Sequence, residues 1–120
     1  MNNRNRGNDY ERQIVKLFRK SGYEKAVTSR AESRNRDALK VDLCNTGIFN
    51  IQCKNYNTLI NYPEILESMP EEGQINVIVN KKTEKSKAGR FVKKGEYALL
   101  NLEDFMYLVR MHKEFVENKK

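Results

Sequence analysis

Glu11 stands on the first predicted helix, Asp42 sits in Val41-Asp42-Leu43, and the following strand carries Ile51-Gln52-Cys53-Lys54. Two carboxylates, an amide oxygen and an ammonium, carried by one helix and two neighbouring strands, are the groups that magnesium-assisted phosphodiester hydrolysis needs in one small pocket. Magnesium prefers hard oxygen ligands, keeps several waters, and takes one or two carboxylates together with substrate phosphate. In that chemistry Asp42 is the central ligand, Glu11 binds directly or through water, and Gln52 offers its carbonyl oxygen. Lys54 then sits beside the scissile phosphate, where it orients the attacking water and stabilises developing charge.

Each of these residues also has a plain structural reading. Glu11 lies three residues after Asn8, as in a capping box, yet it shares a helical line with Val15 and Phe18 at the edge of the apolar stripe. Gln52 and Lys54 taken alone are the solvated face of a strand. Asp42 resists such a reading, because a carboxylate between Val41 and Leu43 is disfavoured in a strand and by desolvation, and so needs a partner. If residues 41–45 and 49–56 form a hairpin around Thr46-Gly47-Ile48, then Asp42, Gln52 and Lys54 share a face opposite Phe49, Ile51 and Cys53.

The elements that must position these groups follow in order. Residues 1–6 read as a mobile basic arm. A helix starts near Asn8, repeats Tyr10, Ile14, Leu17 and Phe18 at helical spacing, and stops at Ser21-Gly22. A strand over 23–29 precedes a polar segment, 30–38, with no period, which is loop or a short helical turn. After the central hairpin come a short helix over 62–69 begun by Pro63, a β-branched buried strand over 75–80, a lysine-rich stretch over 81–94, and a strand over 96–102. The last helix begins with Glu103 and Asp104 in its first turn and runs to about Asn118, with Phe105, Leu108, Val109, His112 and Val116 on one stripe. His112 reads as a core or interface residue. The pattern predicts one α/β domain over 1–120 with a mixed central sheet flanked by helices.

Charge bounds the partner. A chain of 120 residues with net charge +7 and pI near 9.5 calls for an anionic surface. Positive charge gathers in three places: Arg4 and Arg6 in the arm, Arg30, Arg34 and Arg36 beside Ser33 in the polar loop, and Lys81, Lys82, Lys85, Lys87 and Arg90 in the lysine-rich stretch. Neither terminal helix pairs a basic face with an apolar one as a membrane-surface helix must, and aromatic residues are not interleaved with the basic ones as in a single-strand stacking platform. These clusters therefore point to DNA phosphates, bound without sequence readout. No apolar run approaches a membrane span, so a soluble, cytoplasmic protein is expected. Cys44 and Cys53, each in an apolar strand-like segment, read as free thiols.

The helix Glu11, the strand Val41-Asp42 and the x-x-Lys of Ile51-Gln52-Cys53-Lys54 resemble the PD-(D/E)xK nuclease superfamily. Together with Arg6-Gly7-Asn8-Asp9-Tyr10-Glu11-Arg12 they are similar to Holliday-junction resolvases of the archaeal type and their bacteriophage relatives. The motifs span residues 6 to about 56, and beyond them only the order of elements agrees. The resemblance implies a restriction-endonuclease-like fold and a homodimer that makes symmetric cuts in branched, four-way DNA with Mg²⁺ or Mn²⁺. It also implies action in the cytoplasm, that of the host if the protein is encoded by a bacteriophage, with no small-molecule cofactor beyond the metal. Glu11, Asp42 and Lys54 match the catalytic pattern, and Ser29, Arg30 or Ser33 answer to a serine and arginine that family members carry ahead of the strand aspartate. Gln52 departs from it, standing where the family has a carboxylate; Glu32 or Asp37 are candidates to replace the missing charge. Two other readings stay open: a repair, restriction-like or end-processing nuclease of the same superfamily, and a non-catalytic DNA-binding protein on the same fold.

Overall fold

Helix α1 spans Asn3–Lys20 and begins a turn and a half earlier than the capping reading of Asn8 predicts. The reason is Arg6, which is not part of a mobile arm. Its side chain is buried: Nη2 donates to Thr83 Oγ1 at 2.8 Å and to Asn55 Oδ1 at 3.5 Å, and the guanidinium lies 3.6 Å from the centre of the Phe91 ring. Asn55 Nδ2 donates back to the Arg6 carbonyl. A cation desolvated on an aromatic face and held by two polar side chains fixes the first turn against the sheet. Arg6→Ala is therefore expected to destabilise the fold by about 2–3 kcal/mol. Arg12→Ala, which removes only an exposed ion pair to Asp9, is expected to cost under about 1 kcal/mol. Denaturant unfolding of the two variants checks this, and equal midpoints would mean that the first turn is not docked.

The computed structural model describes residues 3–32, 40–56, 59–70 and 74–119, with side chains described from Asn5 onward. After α1 come β1 (Val27–Thr28), α2 (Ser29–Glu32), β2 (Leu43–Cys44), β3 (Phe49–Tyr56), α3 (Tyr62–Ser68), β4 (Ile75–Lys85), β5 (Phe91–Leu99) and α4 (Leu102–Asn118). β1 and β2 form a small antiparallel ladder, and β3, β4 and β5 form a mixed sheet in which β3–β4 is parallel and β4–β5 antiparallel. The parallel connection passes through α3, capped by Asn61, whose Oδ1 accepts from Glu64 N, and begun by Pro63.

Alternate residues of the central strands feed two layers. Tyr10, Ile14 and Val15 of α1 pack with Ala26, Leu43, Ile51, Ile75 and Val77 on one face. On the other, Leu66 and Met69 pack with Ile78. The chain is thus an α/β domain with a mixed sheet flanked by helices, in agreement with the expected restriction-endonuclease-like architecture.

Two expectations change. The strands expected over 75–80 and 96–102 extend into the lysine-rich stretch 81–94: β4 runs to Lys85 and β5 starts at Phe91, so the stretch is the far end of a hairpin. Gly89 turns it with φ +80°, a backbone conformation that glycine adopts without strain. Because β3 pairs with β4 only as far as Tyr56↔Lys82, the hairpin beyond that row has no third strand, and its contact with the rest of the chain, among the described residues, is Arg6 on Thr83 and Phe91. The stripe of α4, in turn, does not enter this chain's core. The helix has no buried residue, and only Leu108 packs partly against the α1 layer.

Candidate active site

Among the described residues, three hydrogen bonds tie Asp42 to two pieces of chain, the start of α2 and β3. Its N–H donates to the Ile51 carbonyl at 2.7 Å, its carbonyl accepts from Ser29 N at 2.7 Å, and its Oδ2 accepts from Cys53 N at 2.8 Å. The expected hairpin exists here in reduced form. Asp42 meets β3 through one backbone bond and then through its side chain, which takes the Cys53 N–H, while β2 is only two residues long and pairs with β1. The turn is as tight as predicted. Thr46 Oγ1 donates to the Phe49 carbonyl at 2.7 Å, and Gly47, at φ +64°, leaves room for the Tyr23 ring, which a Cβ would meet at 2.8 Å.

Gln52 is buried and Lys54 half-buried on the next strand. With its amide oriented to satisfy its neighbours, Gln52 donates to the Lys40 carbonyl at 3.2 Å and accepts from Lys54 Nζ at 3.3 Å. Lys40 adopts φ 66°, a left-handed conformation that costs a lysine about 1 kcal/mol, so the backbone entering Asp42 is held there by its surroundings. Lys54 Nζ also reaches Tyr56 Oη at 3.5 Å and lies 5.4 Å from the Tyr56 ring centre.

Glu11 projects from α1 and pairs with Arg30 of α2, at 3.2 Å from Nη2 and 3.4 Å from Nε. Its charge is felt across the site at Cys53. Burial pushes the Cys53 thiol up, the carboxylates of Asp42 and then Glu11 push it further, and Lys54 opposes them. All three charged groups therefore act on the Cys53 thiol, and their net effect, added to burial, is to hold its proton more tightly. The folded chain holds that proton more tightly than the unfolded chain. The associated stability is fully present below the ordinary thiol value of 9.0 and is lost as pH rises from there through the raised folded-state value. Cys53→Ala is expected to flatten the alkaline fall of unfolding free energy, measured by denaturant titration at increasing pH.

Among the described residues no three His, Cys, Asp or Glu side chains gather for a metal. The hard oxygens of the site, of the kind that magnesium takes, are the carboxylates of Asp42 and Glu11 and the amide oxygen of Gln52, each of which also holds a partner: Cys53 N, Arg30 and Lys54 in turn. Glu32 is engaged elsewhere, accepting from Asn45 Nδ2 at 2.9 Å, and Asp37 lies outside the described residues. Sequence reasoning missed Asn80. The β3–β4 register sets it beside Lys54 and the β4–β5 register sets Tyr97 beside it, so the three share a face. Asn80 Oδ1 is buried without a hydrogen-bond partner among the described residues. Nothing in Asn-Val-Ile-Val-Asn marks it; only the register does.

The basic residues divide. Lys85, Lys87 and Arg90 are exposed at the end of the β4–β5 hairpin, while Lys81 and Lys82 are half-buried on β4, with Lys81 Nζ 5.9 Å from the Tyr10 ring centre. Arg30 is paired to Glu11 and Arg6 is buried, so neither is a freely presented phosphate ligand. Ser33, Arg34, Arg36 and the side chain of Arg4 lie outside the described residues. Both cysteines are free thiols. No described helix is long and apolar enough to cross a membrane.

Compared with known proteins, the chain matches no family model, no curated protein sequence and no solved structure.

Proposed function

We propose that the chain is a metal-dependent, structure-selective DNA endonuclease, a resolvase that cuts four-way junctions as a homodimer. The observation that carries the reading is Asp42: a carboxylate at the edge of the sheet, bolted to Ser29, Ile51 and Cys53, beside a strand whose next residues are a joined Gln52–Lys54 pair. A structural aspartate needs no lysine and amide on the adjoining strand; phosphodiester hydrolysis does. Asp42 and Glu11, with Gln52, would hold Mg²⁺ or Mn²⁺, which supplies a water of lowered pKa and offsets charge on the phosphate. Lys54 holds its ammonium where charge builds on the phosphoryl oxygens, and Gln52 orients it. Arg30 keeps the Glu11 carboxylate aimed. The exposed cations at the end of the β4–β5 hairpin attract DNA without reading its sequence.

The test is incubation of the protein with an end-labelled four-way junction, a matched duplex and single-stranded DNA, each with Mg²⁺, Mn²⁺ or EDTA. Paired, symmetric, metal-dependent cuts confined to the junction are expected. Cuts spread over duplex or ends would replace the resolvase with another nuclease of this architecture. Tight binding with no cutting in either metal would favour the non-catalytic DNA-binding protein, the second reading that the neutral Gln52 supports.

Gln52 also sets an expected metal requirement. Gln52→Glu adds a third carboxylate, worth roughly 1.4 kcal/mol toward the ion, so half-maximal cleavage is expected at about tenfold lower Mg²⁺. Without metal the same charge repels Asp42 and Glu11, and the variant is expected to unfold more readily in EDTA than its parent. An unchanged metal titration would remove Gln52 from the donor set.

A further inference from the structure

Gln52 has one oxygen and two tasks. The proposed function asks it to ligate a metal and to orient Lys54, yet its amide is taken at both ends: the nitrogen donates to the Lys40 carbonyl at 3.2 Å and the oxygen accepts from Lys54 Nζ at 3.3 Å. A divalent ion and an ammonium brought to one neutral oxygen repel each other. If Gln52 turns its oxygen to an ion, the lysine needs another acceptor.

One stands beside it. Parallel pairing sets Asn80 directly opposite Lys54, on the same face of the sheet. Its Oδ1 is buried and has no hydrogen-bond partner among the described residues. A buried acceptor without a donor is uncommon in a folded chain and lowers its stability, so it calls for an explanation. Three neighbours on this face carry donors. Tyr97 lies opposite Asn80 on the other side, but its ring is folded along β5 over Gly95, where a Cβ would meet Cζ at 2.7 Å and Cε2 at 2.9 Å, and its hydroxyl goes with it. Lys82 is two residues further along β4, level with Tyr56 and Gly95. Lys54 shares the row. An ammonium has three N–H donors, and among the described residues Gln52 Oε1 and, at 3.5 Å, Tyr56 Oη accept from this one. The donor left over and the acceptor left over are neighbours.

We infer that Asn80 is a positioning residue, the second seat of the Lys54 ammonium: when the Gln52 oxygen is withdrawn to a metal ion, Nζ passes to Asn80 Oδ1 and stays on the same face of the sheet. The passage is short, because Gln52 and Asn80 flank Lys54, one along its own strand and one across from it. Lysine keeps its protons throughout, so the charge on this face is unchanged. A neutral amide suits the second seat better than a carboxylate, since it holds the ammonium without cancelling the charge that a phosphoryl oxygen needs. The inference rests on the proposed function for the use of the seat, not for its existence.

The seat is tested without metal or DNA, by nuclear magnetic resonance of the ¹⁵N-labelled Lys54 ammonium and the side-chain amides of Gln52 and Asn80 in EDTA. Gln52→Met keeps the volume and removes the acceptor. In that variant the Lys54 ammonium is expected to stay protected from solvent exchange while the Asn80 amide shifts. Asn80→Ala alone is expected to leave Lys54 on Gln52. In the double variant the ammonium is expected to exchange at least about tenfold faster than in either single one, the factor that a hydrogen bond to a charged group supplies. Adding Lys82→Ala to Gln52→Met is expected to change nothing. If Gln52→Met does not fold, Asn80→Asp decides: its carboxylate draws Nζ across with Gln52 intact, so the Gln52 amide shifts, and an unmoved Gln52 amide would overturn the inference. So would a Lys54 freed by Gln52→Met alone, an Asn80 amide that stays unmoved in it, or a protection that depends on Lys82. In the cleavage assay, Asn80→Ala is expected to slow single-turnover cutting about tenfold with junction binding in EDTA unchanged, and a parental rate would likewise overturn it. Resonances that behave as described in a chain that cuts no DNA would overturn the nuclease reading and leave the second seat standing.

Discussion

Asp42→Asn is expected to lower metal-dependent cleavage on the order of 10³-fold or more while leaving the fold intact, and Asp42→Ala is expected to lose the cleavage and part of the stability as well. The difference follows from the two duties of one carboxylate. Oδ2 accepts the Cys53 N–H at 2.8 Å, and asparagine keeps an oxygen in that place, so the junction between Asp42 and β3 survives. What asparagine removes is one of the two negative charges that hold a divalent ion. Alanine removes the acceptor as well, leaving the partly buried Cys53 N–H unsatisfied at a cost of about 1–3 kcal/mol. Single-turnover cleavage and denaturant unfolding, run side by side on the two variants, separate these duties. An asparagine variant that cuts within tenfold of the parent would end the assignment of Asp42 as the central ligand, and an alanine variant as stable as the parent would show that its bond to Cys53 carries no weight in the fold.

How far the chain could be read in advance depended on whether a residue's partner lay near it in sequence. That Asp42 needs a partner was legible from its apolar neighbours Val41 and Leu43, and its Oδ2 does take the Cys53 N–H. Gln52 and Lys54 were legible through strand alternation, and the pair does meet. The ends of α1 divide on the same principle. Its stop at Ser21-Gly22 is local and was foreseen. Its start is set by Thr83 and Asn55, 77 and 49 residues away, and the local cap signal at Asn8 pointed to the wrong turn. Lysine density hid the β4–β5 hairpin, since a two-stranded ribbon that buries only Thr83 beneath Arg6 carries no apolar alternation; the Lys87-Ala88-Gly89-Arg90 turn between two strand-like segments was the available sign. The pairing of Glu11 with Arg30 and the row Lys54, Asn80, Tyr97 were not readable, because each depends on which elements become neighbours. The apolar face of α4 was visible as a stripe, but sequence alone does not say whether a stripe is covered by its own chain.

Lys54→Ala is expected to slow cleavage by about 10²–10³-fold, with affinity for the junction reduced far less. The argument rests on how the ammonium is held. A solvated surface lysine samples many rotamers and offers a diffuse charge. Lys54 Nζ instead lies against Gln52 Oε1 at 3.3 Å and Tyr56 Oη at 3.5 Å, on a half-buried stem. Held in that way, the charge needs little reorganisation when a phosphoryl oxygen gains negative character, which is what makes a preorganised cation effective in the transition state and of small use in ground-state binding. Lys54→Arg keeps the charge but replaces a compact ammonium with a planar fork too long for the same niche, so it is expected to recover binding and not rate. Single-turnover rates at saturating protein, set beside binding measured in EDTA, distinguish the two contributions. If both variants cut within threefold of the parent, Lys54 is a solvated strand residue, and the chemistry proposed for this face of the sheet has no lysine in it.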